Sequence, residues 1–144
     1  MERWLSTLEE LLVKPFVVDN QGRPEPHHVD LRESQFWDWE TREDDFDRAL
    51  AAFEADRARM ARALSLRYGA PERRYIRPYF DGDGSPNDPG SSLFEYLTGW
   101  FFEIDLWQAG TRGIVAEVGH YDKELPLQLM LVVGDLGTHG LIKP

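Results

Sequence analysis

Trp100-Phe101-Phe102-Glu103-Ile104-Asp105-Leu106-Trp107, the turn Ala109-Gly110-Thr111-Arg112, then Gly113-Ile114-Val115-Ala116-Glu117-Val118-Gly119 and Leu127-Gln128-Leu129-Met130-Leu131-Val132-Val133 decide the fold. Each run alternates apolar with polar or bulky residues at a period of two, the signature of a strand with one face turned to a core. The turns between them are short, so the three strands read as an antiparallel meander over Trp100–Val133. Trp100, Phe102, Ile104, Leu106, Ile114, Ala116, Val118, Leu127, Leu129, Leu131 and Val133 form the expected core face. Phe101, Glu103, Asp105, Trp107 and Glu117 fall on the opposite face, an expected outer surface where acids stand beside aromatic rings.

Working outward towards the amino terminus, Arg42–Tyr68 reads as a long helix. Phe46, Leu50, Phe53, Met60, Leu64 and Tyr68 recur at spacings of three and four, with Arg57 completing the stripe. Thr41 is its expected cap, Asp44 a short capping box, Gly69 its terminator and Pro71 a stop beyond it. Acids crowd its first turns and Arg57, Arg59, Arg62 and Arg67 its last ones, as the helix dipole favours. That arginine end, continued by Arg73 and Arg74, reads first as a solvated helix end. Arg74–Phe80 is a candidate edge strand because Pro78 cannot donate to a ladder. Residues 81–92 carry no apolar side chain and read as a mobile surface loop, and residues 135–144 as a tail.

Glu2–Val13 reads as a first helix on the spacing of Trp4, Leu5, Leu8, Leu11 and Leu12, ended by Pro15. Phe16-Val17-Val18 and His27–Leu31 read as the arms of a small hairpin around Gly22. Phe36, Trp37 and Trp39 form a dense aromatic group read as core packing. Helices followed by strands make the fold α+β: an antiparallel sheet of about three to five strands packed against one long helix, with an N-terminal helix, in a single domain over residues 1–144.

Composition excludes several functions. The chain has 144 residues, no cysteine, and 26 acidic against 16 basic residues for a net charge of -10. Thiol nucleophiles, disulfides and thiolate metal sites are absent. Phosphate backbones and anionic membranes call for the opposite charge, so neither nucleic acid nor a membrane is an expected partner. No apolar run nears the ~18 residues of a transmembrane span, and Met1-Glu2-Arg3-Trp4-Leu5 does not open like a signal peptide, so the expected location is the cytoplasm.

Motifs for catalysis are missing. There is no nucleophile elbow, no phosphate-binding glycine loop and no His-Glu-x-x-His. Asp81, Asp83 and Asp88 fail the calcium-loop spacing, and the adjacent His27 and His28 point to opposite faces of a strand. His120 with Asp122 and Glu124, near Glu117, is the one metal or acid–base candidate, of the kind a small hydrolase or metal-binding protein would use. It reads more simply as a solvated hairpin turn. Glu103 and Asp105 are a carboxylate pair without a cleft signal. No cofactor is expected.

A small, acidic, cysteine-free chain whose charged helix ends in Leu66-Arg67-Tyr68-Gly69-Ala70-Pro71, followed by a Trp-rich meander, resembles the small α+β immunity proteins that actinobacteria and other bacteria encode beside polymorphic toxins. The resemblance covers residues 42–134. It implies binding and blocking of a partner protein rather than catalysis, and it assigns no residue a role. The expected function is therefore a non-catalytic module that binds a basic protein through Phe101, Glu103, Asp105, Trp107 and Glu117, rings giving affinity and acids giving rate. The alternative is an assembly subunit burying Trp4, Trp37 and Trp39 against neighbouring copies.

Overall fold

The computed structural model describes residues 2–18, 20, 22–33, 42–75, 93, 96–97, 100–101, 103–119 and 127–136, with side chains in the long helix from residue 46 onward. Among the described residues, two helices and five strands follow the order α1 (Glu2–Val13), β1 (His27–Glu33), α2 (Arg42–Tyr68), β2 (Glu72–Tyr75), β3 (Glu103–Ala109), β4 (Arg112–Gly119) and β5 (Gln128–Asp135). The strands form one antiparallel sheet in the order β1-β5-β4-β3-β2. Four strands thus succeed one another in chain order, while β1 joins the far edge beside β5. The fold is α+β, and no helix among the described residues is long and apolar enough to cross a membrane.

Both helices pack on one sheet face. Leu8 and Leu11 of α1 and Met60 and Leu64 of α2 share a core with Trp107, Ile114, Ala116, Leu131 and Val133. Phe53 extends it towards Leu127 and Leu129. The apolar stripes of the helices explain this placement, since each has one face that must leave water. Gly69 ends α2 with φ +86°, a left-handed geometry that glycine adopts without a Cβ clash, and its N–H returns to Ser65 O at 3.0 Å.

The other sheet face is covered as well. Ile104, Leu106, Val115 and Val132 bury against Leu93, Leu97 and Leu136, with Tyr96 and Phe101 at the rim. Leu93 comes so close that a Cβ on Gly134 would meet its Cβ at 2.7 Å. A sheet buried on both faces accounts for the near-continuous apolar run of β5.

This arrangement corrects several expectations. β3 does not share its core face as expected: Trp107 registers with Ile114, so Trp107 joins the helix-side core and Ile104 and Leu106 face the second layer. The cause is the two-residue turn Gly110-Thr111, with Gly110 at φ +65°, which pairs Ala109 with Arg112 and so sets odd positions of β3 against even positions of β4. Among the described residues, the expected hairpin of residues 16–31 reduces to a single bridge, Val18 with Pro24, and β1 pairs with β5 instead. Asp135 ends β5 and Leu136 is buried, so neither belongs to a tail. Trp4, on the apolar stripe of the first helix and offered to neighbouring copies only in the alternative reading, packs partly buried within the chain's own core. The aromatic group at residues 36–39, the loop at 81–92, Phe102, the cap Thr41 and the stretch 137–144 lie outside the described residues.

Candidate functional site

Arg57 sits on the inward side of α2, where the apolar stripe would otherwise continue. Its Nη2 donates to Asp105 Oδ2 at 2.5 Å and to Glu117 Oε1 at 3.0 Å, and its Nε donates to Ala116 O at 3.2 Å. Arg73 of β2, registered opposite Asp105, donates to Asp105 Oδ1 at 3.0 Å and pairs with Glu103 at 2.9 Å. The registered pairs of β3 and β4 stop at Trp107–Ile114. Beyond that point the strand ladder is replaced by side chains: the Asp105 N–H donates to Glu117 Oε1 at 3.2 Å, and Arg57 takes the Ala116 carbonyl. Backbone groups in such a gap need partners, and here a carboxylate and a guanidinium supply them.

The electrostatics follow from that geometry. Burial pushes the Glu117 carboxyl above its ordinary value, outweighing the pull of Arg57. Burial acts the same way on Asp105, but hydrogen bonds from Arg57 and Arg73 outweigh it and hold that carboxyl below its ordinary value. Burial opposes the charge of Arg57, yet Asp105 and Glu117 together raise its pKa further. Three acids and two arginines leave this network a single negative charge.

The five residues expected to form an open partner surface are therefore distributed differently. Trp107 is 1% exposed and its Nε1 donates to Ser65 Oγ at 3.1 Å. Asp105 and Glu117 are mostly buried beneath α2, and Glu103 is paired with Arg73. Phe101 lies half-buried against the second-layer core, apart from the others. The expected outer face is thus roofed by α2, because the register that moved Trp107 moved Asp105 with it. His120, Asp122 and Glu124 lie outside the described residues. His27 and His28 diverge as strand geometry requires, His27 stacking on Phe16 and His28 on Tyr96. Among the described residues no three metal-ligating side chains converge.

Asp105 and Trp107 do reach one cleft. It holds about 450 Å³ and is lined by Ala61, Arg62, Ser65, Leu66, Pro71, Asp105 and Trp107, between the carboxyl-terminal half of α2 and β3.

A different surface carries open apolar side chains. Val13, Val17 and Val18 are 79%, 67% and 58% exposed, within six residues at the end of α1. Glu10 and Glu25 are exposed and close to them along the backbone: the Lys14 N–H donates to Glu10 O at 3.1 Å and the Glu25 N–H to Val17 O at 2.8 Å. Neither carboxylate forms an ion pair among the described residues. The segment is held firmly: Arg112 Nη1 donates to Leu11 O at 2.8 Å and Lys14 O at 2.7 Å, and its guanidinium lies 4.1 Å from the centre of the Phe16 ring. These are carbonyls that a helix end leaves unpaired, at the negative end of its dipole. Sequence reasoning missed this surface by reading Phe16–Val18 only as one arm of a small hairpin. Leu12 and Val13 before Pro15, then Val17 and Val18 before a polar turn, were the available signal.

Comparison of the chain with protein-family models, with curated proteins and with solved structures finds no match.

Proposed function

We propose that this protein is a non-catalytic binding module that captures a basic protein, in the manner of an immunity protein, through the surface around Val13, Val17 and Val18. One observation carries the reading. These valines stand open in a segment held by Arg112, and the exposed Glu10 and Glu25, acids without ion pairs among the described residues, lie near them along the backbone, with the exposed Lys14 next to Val13. Glu103, Asp105 and Glu117, by contrast, are already paired with Arg57 and Arg73, which leaves them one negative charge between them. Nearly all of the chain's net charge of -10 consequently resides elsewhere. An apolar centre with an acidic rim suits a partner that presents apolar side chains ringed by lysine or arginine, the rim accelerating encounter and the centre excluding water.

The experiment is a capture from the native organism with wild-type protein and with Val17→Asp as baits, followed by affinity measurement at two salt concentrations. A basic partner retained by wild type, lost by Val17→Asp and weakened by salt supports the reading. The same valines favour a second reading, assembly of identical copies. A stable oligomer at low micromolar concentration that Val17→Asp dissociates would select it instead.

A further inference from the structure

The cleft between α2 and β3 has a chemistry the binding surface at α1 does not use. Ala61, Leu66 and Pro71 give it apolar sides, Leu66 being 90% exposed at its rim, and the buried Trp107 forms its floor. It is an open surface cleft of about 450 Å³ rather than an enclosed cavity, so a ligand there keeps one side in water. Three polar groups line it. Asp105 is an acid in name, but both its oxygens are taken by Arg57 and Arg73. Ser65 accepts from the Trp107 indole and keeps its own O–H as a donor. Arg62 is exposed and forms no ion pair among the described residues. Residues 57–67 contain four arginines and no acid, so this end of the helix differs in sign from the chain as a whole.

From this we infer that the cleft is a binding site for a small aliphatic monocarboxylate, its tail against Ala61, Leu66 and Pro71 above the buried Trp107 and its carboxylate on Arg62. A cation is disfavoured by Arg62, and Asp105 offers it no free oxygen. A neutral alcohol would gain the apolar wall alone. An exposed charge pair is screened by water, so the carboxylate adds discrimination of about fivefold rather than orders of magnitude.

The test uses the full-length protein, with octanoate, octanol and octylammonium as probes, followed by NMR at the Trp107 indole N–H and the Leu66 methyls. Octanoate is expected to give saturable shifts at both, octanol to bind about fivefold more weakly, and octylammonium to give none at the same concentrations. Arg62→Gln, an exposed change that leaves the melting temperature unaltered, is expected to bring octanoate to the affinity of octanol. Equal affinities for octanoate and octanol in the wild type, octanoate binding unaffected by Arg62→Gln, saturable shifts with octylammonium, or no saturable shift with any probe would each overturn the assignment.

Discussion

Asp105 and Glu117 face each other across a gap in the β3–β4 ladder, the backbone N–H of one donating to the carboxylate of the other at 3.2 Å. Registered strand pairing with β4 covers only the turn end of β3, from Ala109 back to Trp107, two residues beyond Asp105. Arg57 closes the gap from above by holding both carboxylates and the Ala116 carbonyl. The acids that a sequence reading offers to a partner are, in the folded chain, parts of a joint between helix and sheet.

Removing the cation from this joint should be costly. Arg57→Ala leaves Asp105 and Glu117 mostly buried beside each other without their shared donor, and a loss of about 3 kcal/mol is expected from broken buried pairs of this kind. Arg57→Lys should recover only part of it, because a single ammonium cannot span both carboxylates and the carbonyl in the geometry of a guanidinium. Urea denaturation measures both. A loss below about 0.5 kcal/mol for Arg57→Ala, the range of ordinary surface changes, would mean that the network holds nothing together.

The two acids should respond to pH with opposite signs. Asp105 titrates below its ordinary 3.8 in the folded state, so it contributes stability above that value that is lost as pH falls through its folded pKa. Glu117 titrates above its ordinary 4.5, so the folded state takes up a proton first and stability rises as pH falls through that window. Glu117→Gln should therefore remove an acid-side gain, and Asp105→Asn an acid-side loss. Denaturation midpoints of the two variants and wild type, followed from pH 7 down to about pH 3, should diverge in these opposite directions. Parallel curves would contradict the assignment.

The second layer should be sensitive to a single methyl group. Gly134→Ala places a Cβ 2.7 Å from Leu93 Cβ, and overpacking of this kind costs about 1–3 kcal/mol. Leu93→Ala in the same chain should cost less in the Gly134→Ala background than in wild type, because it removes the Cδ1 and Cγ contacts at 2.8 and 2.9 Å and leaves only the one with Cβ. Additive losses in a double-mutant cycle would show that Leu93 does not lie over Gly134.

Much of the architecture is legible in the chain. α1 and α2 have the bounds that their apolar stripes and the terminators at Pro15 and Gly69 indicate, because a helix records its own period and its own end. The β4 and β5 faces follow from alternation in the same way. The face of β3 does not, since alternation says which residues stand together and not which side they take. Pairing Ala109 with Arg112 across a two-residue turn would have settled it and put Trp107 beside Ile114. Arg57 was a second signal left unused: a cation inside an apolar stripe requires an acid on the facing element, and Asp105 and Glu117 were the acids at hand. The place of β1 beside β5 depends on contacts about one hundred residues apart, which no local pattern encodes.

Arg112 connects the fold to the proposed binding surface. Its hydrogen bonds to Leu11 and Lys14 and its position over Phe16 fix the segment that carries the valines. Arg112→Ala is expected to cost about 2 kcal/mol, the scale of lost charged hydrogen bonds. It should also raise hydrogen exchange at the Glu25 N–H, which bonds to Val17 O. Unchanged protection there would show that the segment is held by something else.

The most direct measurement of the central claim is the affinity of the captured partner for wild type, Val17→Asp, Glu10→Lys with Glu25→Lys, and the control Glu103→Gln. Val17 is 67% exposed and both glutamates are exposed, so these changes act on the surface rather than on folding. A basic partner whose dissociation constant rises at least about tenfold for Val17→Asp and for the double lysine variant, with Glu103→Gln matching wild type, is the predicted result. A partner that binds all four proteins equally, or one weakened by Glu103→Gln alone, would contradict it.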